Sequence, residues 1–422
     1  MGNCAIVGIC WGDEGKGRMV DYLVPQYGTV VRYQGGNNAG HTIVNDLGEF
    51  KLNLIPSGIF HPDKLNLLGA GCVIDIQHLC KEADGLRQRG VCITPENLRI
   101  SDRAIVVLPI SPLEDKLEEQ RLGKAHFGST LRGIAPAYAD RAYKKALRMG
   151  DLLHDEVLQE RLQRLVDWKN QVYVPGYGCT PFSYEELLTL CREYAQKLRP
   201  YICDAGELLD GRKRDGILFE AQLGALRDLD YGIYPYTSSS TPLAAYAPVG
   251  SGCPWLKVDR VVGVVKAYST CVGEGPFVGE LQGEEAAALR EAGHEYGAAT
   301  GRPRRVAWMD TVAARYGVKV QSATELALTK LDVLDRFDTL PVCVGYELRG
   351  QVIHTFPYTA DLNDCKPVYV TLPGWKQDTT HVRRFQDLPQ AAQNYVLFLE
   401  KELNCPIPYV SVGAEREAMI LR

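Results

Sequence analysis

The strongest constraint on this chain is a glycine-rich segment near its start, Gly8-Ile9-Cys10-Trp11-Gly12-Asp13-Glu14-Gly15-Lys16-Gly17-Arg18. The apolar run at residues 5–7 predicts a buried strand before it, and residues 19–24 predict the opening of a helix after it. Such a strand, glycine turn and helix N-terminus place backbone N–H groups where a phosphate can bind. The spacing differs from the G-x-x-x-x-G-K-S/T pattern, and carboxylates at Asp13 and Glu14 repel phosphate unless they bind a metal ion or a proton. The pattern alone therefore favours a phosphate site and a structural turn about equally.

A second polar loop follows the next predicted strand. Residues 29–31 are apolar, and Arg32-Tyr33-Gln34-Gly35-Gly36-Asn37-Asn38-Ala39-Gly40-His41-Thr42 comes directly after them. The carboxyl ends of parallel strands meet at one edge of a sheet, where ligands of open α/β folds bind. A glycine-bearing loop that ends in a lone histidine at this edge indicates part of an active site.

The remaining pattern sets the fold class. Apolar strands alternate with amphipathic helices, which predicts an α/β fold with a large, mostly parallel central sheet flanked by helices. We expect a single domain over residues 1–422, with a charged helical insertion at about 151–200. The segment that opens at Val306 is expected to begin a further helix.

Charge and cysteine content limit the partners and the compartment. The net charge of -5 argues against nucleic acid as a partner. No apolar run is long enough to cross a bilayer, so no membrane partner is expected, and the first residues enter a strand without a signal peptide. The 13 cysteines include no C-x-x-C pair, which indicates reduced thiols and a cytoplasmic protein.

The two loops together carry a family resemblance. W-G-D-E-G-K-G at residues 11–17 and G-G-x-N-A-G-H-T at residues 35–42 resemble the adenylosuccinate synthetase family, and the resemblance recurs along nearly the whole chain. It implies a fold related to P-loop NTPases, with small antiparallel hairpins beside the main sheet. It also implies a homodimeric, GTP-dependent ligase that uses Mg²⁺, phosphorylates the 6-oxygen of IMP and adds L-aspartate to give adenylosuccinate, GDP and phosphate.

Two alternatives stay open at this point. A specialised paralogue could use the same phosphoryl activation and amine ligation on a different acceptor, in nucleoside or natural-product biosynthesis. A nucleotide-binding regulatory protein is the non-enzymatic alternative.

The resemblance assigns the catalytic and GTP-binding residues. Asp13 is implied to take the N1 proton of the base and to ligate Mg²⁺ together with the carbonyl of Gly40, and His41 is implied to be the general acid. The implied GTP contacts are Gly12, Gly15, Lys16, Gly17, Gly40, Thr42, Arg304, Lys330, Asp332, Ser411 and Gly413. In the T-K-L-D signature, a carboxylate at Asp332 can accept from N1–H and the 2-amino group of guanine while the Lys330 stem stacks on the ring.

The resemblance also assigns the acceptor and aspartate contacts. The implied acceptor-nucleotide contacts are Asn38, Ser129, Thr130, Lys144, Gln222, Leu223, Ser238, Val272 and Arg302, and the implied aspartate contacts are Ala299, Thr300 and Arg302. Lys144 stands where the family sends an arginine across to the neighbouring subunit.

Several positions around the acceptor depart from the family motifs. Leu131 and Ala135 replace glycines of G-T-T-G-R-G-I-G, and Leu223 stands where G-A-Q-G has its glutamine. Cys271 replaces the arginine of K-A-Y-S-T-R-V-G, Ala299 replaces a threonine, and residues 242–246 replace T-T-A-G-G. Because the substitutions spare Asp13 and His41, the phosphoryl-transfer centre is expected to be competent.

Overall fold

The computed structural model describes residues 2–296, 301 and 303–422. Its strands are β1 (Cys4–Gly8), β2 (Thr29–Arg32), β3 (His41–Asn45), β4 (Gly48–Leu52), β5 (Leu65–Leu68), β6 (Val73–Asp75), β7 (Leu98–Ser101), β8 (Ile105–Val107), β9 (Ile202–Cys203), β10 (Ile217–Glu220), β11 (Arg260–Lys266), β12 (Ser269–Cys271), β13 (Arg305–Ala307), β14 (Met309–Asp310), β15 (Glu325–Thr329), β16 (Thr339–Leu348), β17 (Gln351–Ile353), β18 (Lys366–Pro373), β19 (Tyr409–Ser411) and β20 (Met419–Leu421). Its α-helices are α1 (Lys16–Leu23), α2 (Ile76–Gln88), α3 (Ile110–Leu122), α4 (Ile134–Ala142), α5 (Asp155–Tyr177), α6 (Tyr184–Leu198), α7 (Ala205–Arg212), α8 (Ala247–Ser251), α9 (Gly283–Gly293), α10 (Thr311–Gln321), α11 (Thr359–Leu362) and α12 (Gln390–Leu403).

A 10-stranded sheet forms the centre, in the order β20-β19-β15-β11-β1-β10-β2-β5-β7-β9. The neighbouring strands run parallel, except that β20 at one edge is antiparallel to β19. All five residues of β1 are buried, as a strand covered on both faces requires. Small antiparallel pairings, such as β3 with β4 and β16 with β18, lie outside this sheet. The predicted fold class is confirmed.

Apolar side chains cover both faces of β1. Ile6 packs with Met19 and Val20 of α1 in one cluster, whereas Val7 packs with Val31 and Phe219 in another. Alternate residues of a strand point to opposite faces, so the apolar run at residues 5–7 supplies both layers.

Helices α5 and α6 occupy most of the region predicted as a helical insertion. Leu162 and Leu165 of α5 and Leu188 of α6 share one buried cluster with Leu68 of β5 and Ile100 of β7. The description of the chain as a single domain with an insertion stays a prediction. In the described part of the chain, no helix has the length and apolarity needed to span a membrane.

The prediction that a helix begins at Val306 is wrong. Residues Arg305–Ala307 form β13, which pairs antiparallel with β12, and α10 begins only at Thr311. The carboxylate of Asp310 accepts hydrogen bonds from the N–H groups of Val312 (2.9 Å) and Ala313 (3.0 Å), so the helix start is fixed by an N-cap.

The sheet brings the predicted site segments to one edge. The glycine loop follows β1, the loop to His41 follows β2, residues 221–224 follow β10, and Lys330 follows β15. All of these strands run parallel in the same sheet, so their carboxyl ends meet at the same edge.

Candidate active site

The glycine loop after β1 folds around the carboxylate of Glu14. Oε1 of Glu14 accepts hydrogen bonds from the N–H groups of Gly12 (2.8 Å) and Cys10 (3.1 Å), and Oε2 lies 2.6 Å from Nζ of Lys16. Gly12 and Gly15 have φ angles of 111° and 98°, a left-handed backbone that favours glycine. The loop thus gathers N–H donors and a lysine at a helix N-terminus, which are the elements of an anion site.

Gly17 brings α1 against His41. A Cβ at position 17 would lie 3.0 Å from Cβ of His41 and 3.2 Å from Oγ of Ser57, so a larger residue would displace the histidine. Nδ1 of the buried His41 lies 2.5 Å from Oε1 of Glu220, the last residue of β10. Glu220 also accepts hydrogen bonds from N–H (2.8 Å) and Oγ (2.5 Å) of Ser57.

The surroundings of this pair fix its proton arrangement. Burial lowers the pKa of His41, and the negative charge of Glu220 opposes that effect. Burial by itself raises the pKa of Glu220, but the charges of His41 and Arg32 outweigh it, and the net shift is downward. Glu220 is therefore ionised and accepts from Nδ1–H of His41, which leaves Nε2 as the nitrogen that can exchange a proton with a ligand.

Asp13 lies on the exposed side of the glycine loop, where Arg304 reaches it. Nη2 of Arg304 lies 2.9 Å from Oδ2 of Asp13, and Nη1 of the same guanidinium lies 2.7 Å from Oε2 of Glu295. Asp13 has φ 58°, a left-handed conformation that is costly for a non-glycine residue and concentrates at functional sites. The side chain of Asp13 is 34% exposed, so a ligand can reach its carboxylate.

Glu295 is the buried centre of a positively charged cluster. Its Oε1 lies 2.8 Å from Nζ of Lys266, 2.5 Å from the hydroxyl of Tyr268 and 3.0 Å from Nζ of Lys330. Burial raises the pKa of Glu295, but the charges of Lys266, Lys330 and Arg304 outweigh burial and lower it strongly. Burial lowers the pKa of Lys266 to about 8, against the raising effect of Glu295. One carboxylate thus holds cations from three different segments.

The guanine-signature residues follow β15. Oδ1 of Asp332 is buried and has no hydrogen-bond partner among the described residues, although buried polar atoms are normally paired. Burial raises the pKa of this carboxyl. The Lys330 ammonium is held by Glu295 and by the carbonyl of Gly293 (2.6 Å), so only its stem remains for stacking.

The second guanine segment lies beside α1. Arg18 donates a hydrogen bond to Oγ of Ser411 and further bonds to the carbonyls of Glu415 (2.6 Å) and Ala418 (2.9 Å). Oγ of Ser411 in turn donates to the carbonyl of Gly413 (3.0 Å). Ser411 and Gly413 are therefore tied to the same helix that begins at Lys16.

Two carboxylates of α3 hold the loop that contains Ser129. Glu119 accepts from the N–H groups of Gly128 (3.0 Å) and Ser129 (3.1 Å). Asp115 accepts from Oγ of Ser129 (2.7 Å) and from N–H of Gly133 (3.0 Å). The Ser129 hydroxyl is thus engaged within the protein.

The same loop keeps the backbone shape that a glycine would adopt. Leu131, which replaces a family glycine, has φ 57°. Thr130 beside it is exposed. The substitution therefore imposes strain on Leu131 while the loop retains a left-handed residue at this position.

Gln222, which is displaced by one position from the glutamine of the family motif, is held by two other side chains. Gln222 is fully buried; its Oε1 accepts from Nη2 of Arg32 (2.7 Å), and its Nε2 donates to Oδ1 of Asn38 (3.0 Å). Leu223 has φ 61°, and its Cα lies 3.3 Å from where a Cβ of Gly12 would be. Gln222 thus contacts another predicted acceptor residue, and Leu223 packs its backbone on the glycine loop.

Two further predicted acceptor residues lie close together. Val272 is 55% exposed although it is apolar, as expected for a side chain that packs on a ligand. Ser238 donates its N–H to the carbonyl of Arg227 (2.9 Å), and its Oγ lies 3.0 Å from Oγ of Ser240. The side chain of Arg227 donates to the carbonyl of Val272 and its backbone carbonyl accepts from Ser238, so Arg227 links these two residues.

Lys144 points outward from the subunit. It follows α4, is exposed and has φ 63°. Its neighbour Lys145 instead places Nζ 2.9 Å from the ring centre of Trp168. Lys144 is therefore the lysine of the pair that is available to a second subunit.

Three of the predicted residues, Ala299, Thr300 and Arg302, lie outside the described residues. Gly40 and Thr42 flank His41 at the start of β3 and are both exposed. The donor set that the sequence suggests for a divalent cation is one accessible carboxylate, Asp13, and the backbone of Gly40. Mg²⁺ commonly binds through one or two carboxylates plus phosphate oxygens and water, so these donors fit an ion that is shared with nucleotide phosphates.

The structure adds site residues that the sequence analysis did not identify. Glu220 ends an otherwise apolar strand, and a lone charge at that point was the available signal. Glu295 and Arg227 carry no such signal, because their partners come from segments far apart in the chain.

Comparison with known proteins agrees with this geometry. A family model described as adenylosuccinate synthetase matches residues 5–420. The chain is 46% identical over 419 residues to the adenylosuccinate synthetase of Caldanaerobacter subterraneus subsp. tengcongensis, covering 99% of this chain and 98% of the relative. It is also 46% identical over 424 residues to that of Carboxydothermus hydrogenoformans, covering 100% and 99%.

A solved structure of fully ligated adenylosuccinate synthetase from Plasmodium falciparum matches with a TM-score of 0.94 at 33% identity, over 100% of both chains. Sequence and fold thus agree over essentially the full length, including every segment that contributes to the sheet edge described above. The chain belongs to the adenylosuccinate synthetase family, a family of GTP-dependent ligases.

Proposed function

We propose that this enzyme condenses IMP with L-aspartate, using GTP, to give adenylosuccinate, GDP and phosphate. The observation that carries the proposal is the meeting of three segments at one sheet edge: Asp13 in the glycine loop, His41 against Gly17, and Asp332, whose Oδ1 has no hydrogen-bond partner among the described residues. Together they provide a base, an acid and a guanine acceptor beside one anion-binding turn.

In the first step, the carboxylate of Asp13 takes the proton from N1 of the base. The 6-oxygen then carries the negative charge and attacks the γ-phosphorus of GTP, and the bond to the bridging oxygen of GDP breaks. His41 donates from Nε2 to the transferring phosphoryl group, while Glu220 accepts from Nδ1 and stabilises the imidazolium. We assign phosphate oxygens to Lys16 and to the N–H groups of Gly12, Gly15 and Gly17, so that Gly12 and Lys16 exchange their contacts with the Glu14 carboxylate for contacts with phosphate when GTP binds.

In the second step, the amine of aspartate attacks C6 of the phosphorylated base. The bond from C6 to oxygen breaks, inorganic phosphate leaves, and the amine loses a proton to give the secondary amine of adenylosuccinate. We assign the aspartate carboxylates to Thr300 and Arg302, with Ala299 beside them in the sequence, and we assign the acceptor nucleotide to Arg302 as well.

A Mg²⁺ ion would be held by Asp13 and the carbonyl of Gly40 together with phosphate oxygens. When bound, such an ion neutralises charge on the phosphates. Arg304, which contacts Asp13 in this structure, is assigned to the GTP side of the same region together with Thr42.

The guanine of GTP and the acceptor nucleotide are assigned to separate sets of residues at the two ends of the site. We assign guanine to Asp332, the Lys330 stem, Ser411 and Gly413. The acceptor nucleotide is assigned to Asn38, Ser129, Thr130, Gln222, Leu223, Ser238 and Val272.

We further propose a homodimer in which Lys144 of one subunit reaches the acceptor phosphate of the other. Its exposure on the surface after α4 supports this assignment. We also infer a cytoplasmic location, which the free thiols of all the cysteines support.

The test is product analysis with GTP and Mg²⁺, giving IMP and L-aspartate together and separately. We expect adenylosuccinate by mass spectrometry only when both are present, with one GDP released for each product. Tight GTP binding without adenylosuccinate would instead favour the alternative of a different acceptor, a reading that the relatives named adenylosuccinate synthetase do not favour.

A further inference from the structure

A buried arginine connects the segments assigned to the acceptor nucleotide. Arg227 is 7% exposed and follows β10 in a short 3-10 turn, Ala225–Arg227. Its Nη2 donates to Sγ of Cys271 (3.0 Å) and to the carbonyl of Val272 (2.5 Å). Its Nη1 donates to the carbonyls of Glu274 (3.3 Å) and Tyr236.

The backbone of the same residue holds the second acceptor segment. The carbonyl of Arg227 accepts from the N–H of Ser238 at 2.9 Å. One residue therefore fixes Val272 through its side chain and Ser238 through its main chain. Because each of these hydrogen bonds restrains a different loop, Arg227 sets the position of one loop relative to the other.

A third acceptor segment packs on this arrangement. A Cβ at Gly128 would lie 3.4 Å from Cγ of Glu274 and 3.5 Å from Cα of Gly273. The rings of Phe127 and Tyr236 are arranged edge-on, with 6.3 Å between their centroids. The segment that leads into Ser129 and Thr130 is thus packed beside the two segments that Arg227 ties together, with no room for a side chain at Gly128 without close contact.

The sequence departs from the family motif at the point where Arg227 binds. Cys271 stands in the place of the arginine in K-A-Y-S-T-R-V-G, and the guanidinium of Arg227 lies directly against its sulfur. A guanidinium is therefore present beside residue 271 even though residue 271 does not supply it. The planar guanidinium lets one side chain donate to several carbonyls at fixed angles, which the ammonium group of a lysine cannot reproduce.

We infer that Arg227 is a positioning residue for the acceptor nucleotide and that it supplies, from the β10 side, the guanidinium that Cys271 lacks. It holds Val272 and Ser238 at the separation that the acceptor requires, and it makes no contact with the GTP side of the site in the described residues. The inference rests on the proposed function for the identity of the acceptor, but the positioning itself does not depend on that identity.

Two substitutions distinguish the hydrogen-bond geometry of the guanidinium from its positive charge. Arg227→Met removes both the donors and the charge, whereas Arg227→Lys keeps the charge without the planar set of donors. Hydrogen bonds from a charged donor contribute about 1.5–3 kcal/mol, so we expect Arg227→Met to weaken IMP binding by about 10-fold to 100-fold in calorimetry. GDP binding should change by less than about twofold, because the guanine and acceptor ends are held by different residues.

The rescue variant makes the test specific. Arg227→Met combined with Cys271→Arg returns a guanidinium to the same region from β12, and it should recover most of the lost IMP affinity. Arg260→Met is the matched control. Arg260 begins β11 and pairs with Glu325 and Tyr409, at the end of the strand opposite to the site, so its loss should lower the melting temperature without changing IMP binding.

Hydrogen exchange in the ligand-free protein provides a readout that does not depend on the acceptor. Arg227→Met should accelerate exchange at residues 237–240 and 271–275, but not at residues 411–413. Unchanged exchange at the first two segments would overturn the inference, as would equal weakening of IMP and GDP. If exchange accelerates as expected while the wild-type enzyme fails to bind IMP, the positioning role stands and the proposed acceptor is wrong.

Discussion

The imidazole of His41 and the carboxylate of Glu220 form a buried pair with 2.5 Å between Nδ1 and Oε1. Ser57 donates two further hydrogen bonds to the same carboxylate, so Glu220 is held from two sides. This arrangement fixes the orientation of the ring and the nitrogen that carries its proton. The Glu220 contact therefore leaves Nε2 as the nitrogen of His41 that faces a ligand before any substrate binds.

Replacing Glu220 by glutamine should slow phosphoryl transfer and shift its pH dependence. Loss of an orienting carboxylate beside a functional histidine costs about 10-fold to 100-fold, and we expect kcat to fall by that factor. Since Glu220 raises the pKa of His41 against the effect of burial, Glu220→Gln should lower that pKa further. The inflection of kcat/KM that reports His41 should therefore move to lower pH.

Glu325→Gln is the control for this experiment, because Glu325 pairs with Arg260 at the amino end of β15 and β11. Its pH profile should match that of the wild type. An unshifted profile for Glu220→Gln would contradict the assigned role of the pair.

Replacing Asp332 by alanine should remove the preference for GTP over ATP. Its buried Oδ1 has no hydrogen-bond partner in the part of the chain that the structure describes, and the N1–H and 2-amino groups of guanine can supply one. A site built to hydrogen-bond a group typically discriminates by about 10⁴-fold against an analogue that lacks it. We therefore expect the ratio of kcat/KM for GTP to that for ATP to fall by at least about 100-fold, measured as GDP or ADP release.

Asp335→Asn is the matched control on the same turn. Asp335 accepts from Nε1 of Trp375 (2.6 Å) and N–H of Thr379 (2.7 Å), so its role is structural. The control should lower the melting temperature and leave the GTP to ATP ratio unchanged. GTP use that remained as strong relative to ATP in Asp332→Ala would refute the guanine assignment.

The parallel sheet could be predicted from the sequence because its strands are short apolar runs, such as residues 5–7, separated by glycine loops. The site segments could also be predicted, since each follows a strand and parallel strands end together. The strand Arg305–Ala307 was missed because three residues cannot show a period, and its pairing partner lies more than thirty residues earlier in β12.

The contacts between site residues could not be predicted. Glu295 meets Lys266, Lys330 and Arg304 only after three segments fold together, and no spacing in the chain encodes that meeting. Gln222 shows the same limit. Its bonds to Arg32 and Asn38 depend on where the loop after β2 lies, which the position of Gln222 in the sequence does not reveal.

Replacing Leu131 by glycine should stabilise the protein. Its left-handed backbone at φ 57° costs a side-chain-bearing residue about 1–2 kcal/mol. Glycine loses about 0.5–1 kcal/mol through the greater freedom of the unfolded chain, so the net gain should be about 0.5–1 kcal/mol in the free energy of unfolding. Urea denaturation measures this difference.

Leu229→Gly provides the comparison, because Leu229 has nearly the same exposure (39% against 43%) and is not among the left-handed residues. The apolar contact that is lost is similar at the two positions, so Leu229→Gly, which relieves no strain, should be less favourable than Leu131→Gly by about 1–2 kcal/mol. Equal destabilisation by the two substitutions would show that Leu131 is unstrained.

The buried group of Glu114, Lys169 and Asp140 should make stability depend on pH. Nζ of Lys169 lies 2.7 Å from a carboxylate oxygen of each acid, between α3, α4 and α5. Burial raises the pKa of Glu114 from 4.5 to about 7, although Lys169 opposes the shift. Between these two pH values the folded protein keeps a proton on Glu114 that the unfolded chain releases.

Because the folded state binds the additional proton, the stability that Glu114 contributes is fully present below its unfolded pKa and is lost as the pH rises through the folded value. Relative to Glu114→Gln, the wild type should lose up to about 1.4 kcal/mol of unfolding free energy per pH unit in this window. The difference in unfolding free energy between the two proteins should no longer change above about pH 7, which is the approximate pKa of Glu114 in the folded protein. Urea unfolding of both proteins from pH 5 to pH 8 measures the difference. A difference that stayed constant across the whole range would mean that Glu114 is already ionised in the folded protein at pH 5, and that Lys169 balances both carboxylates.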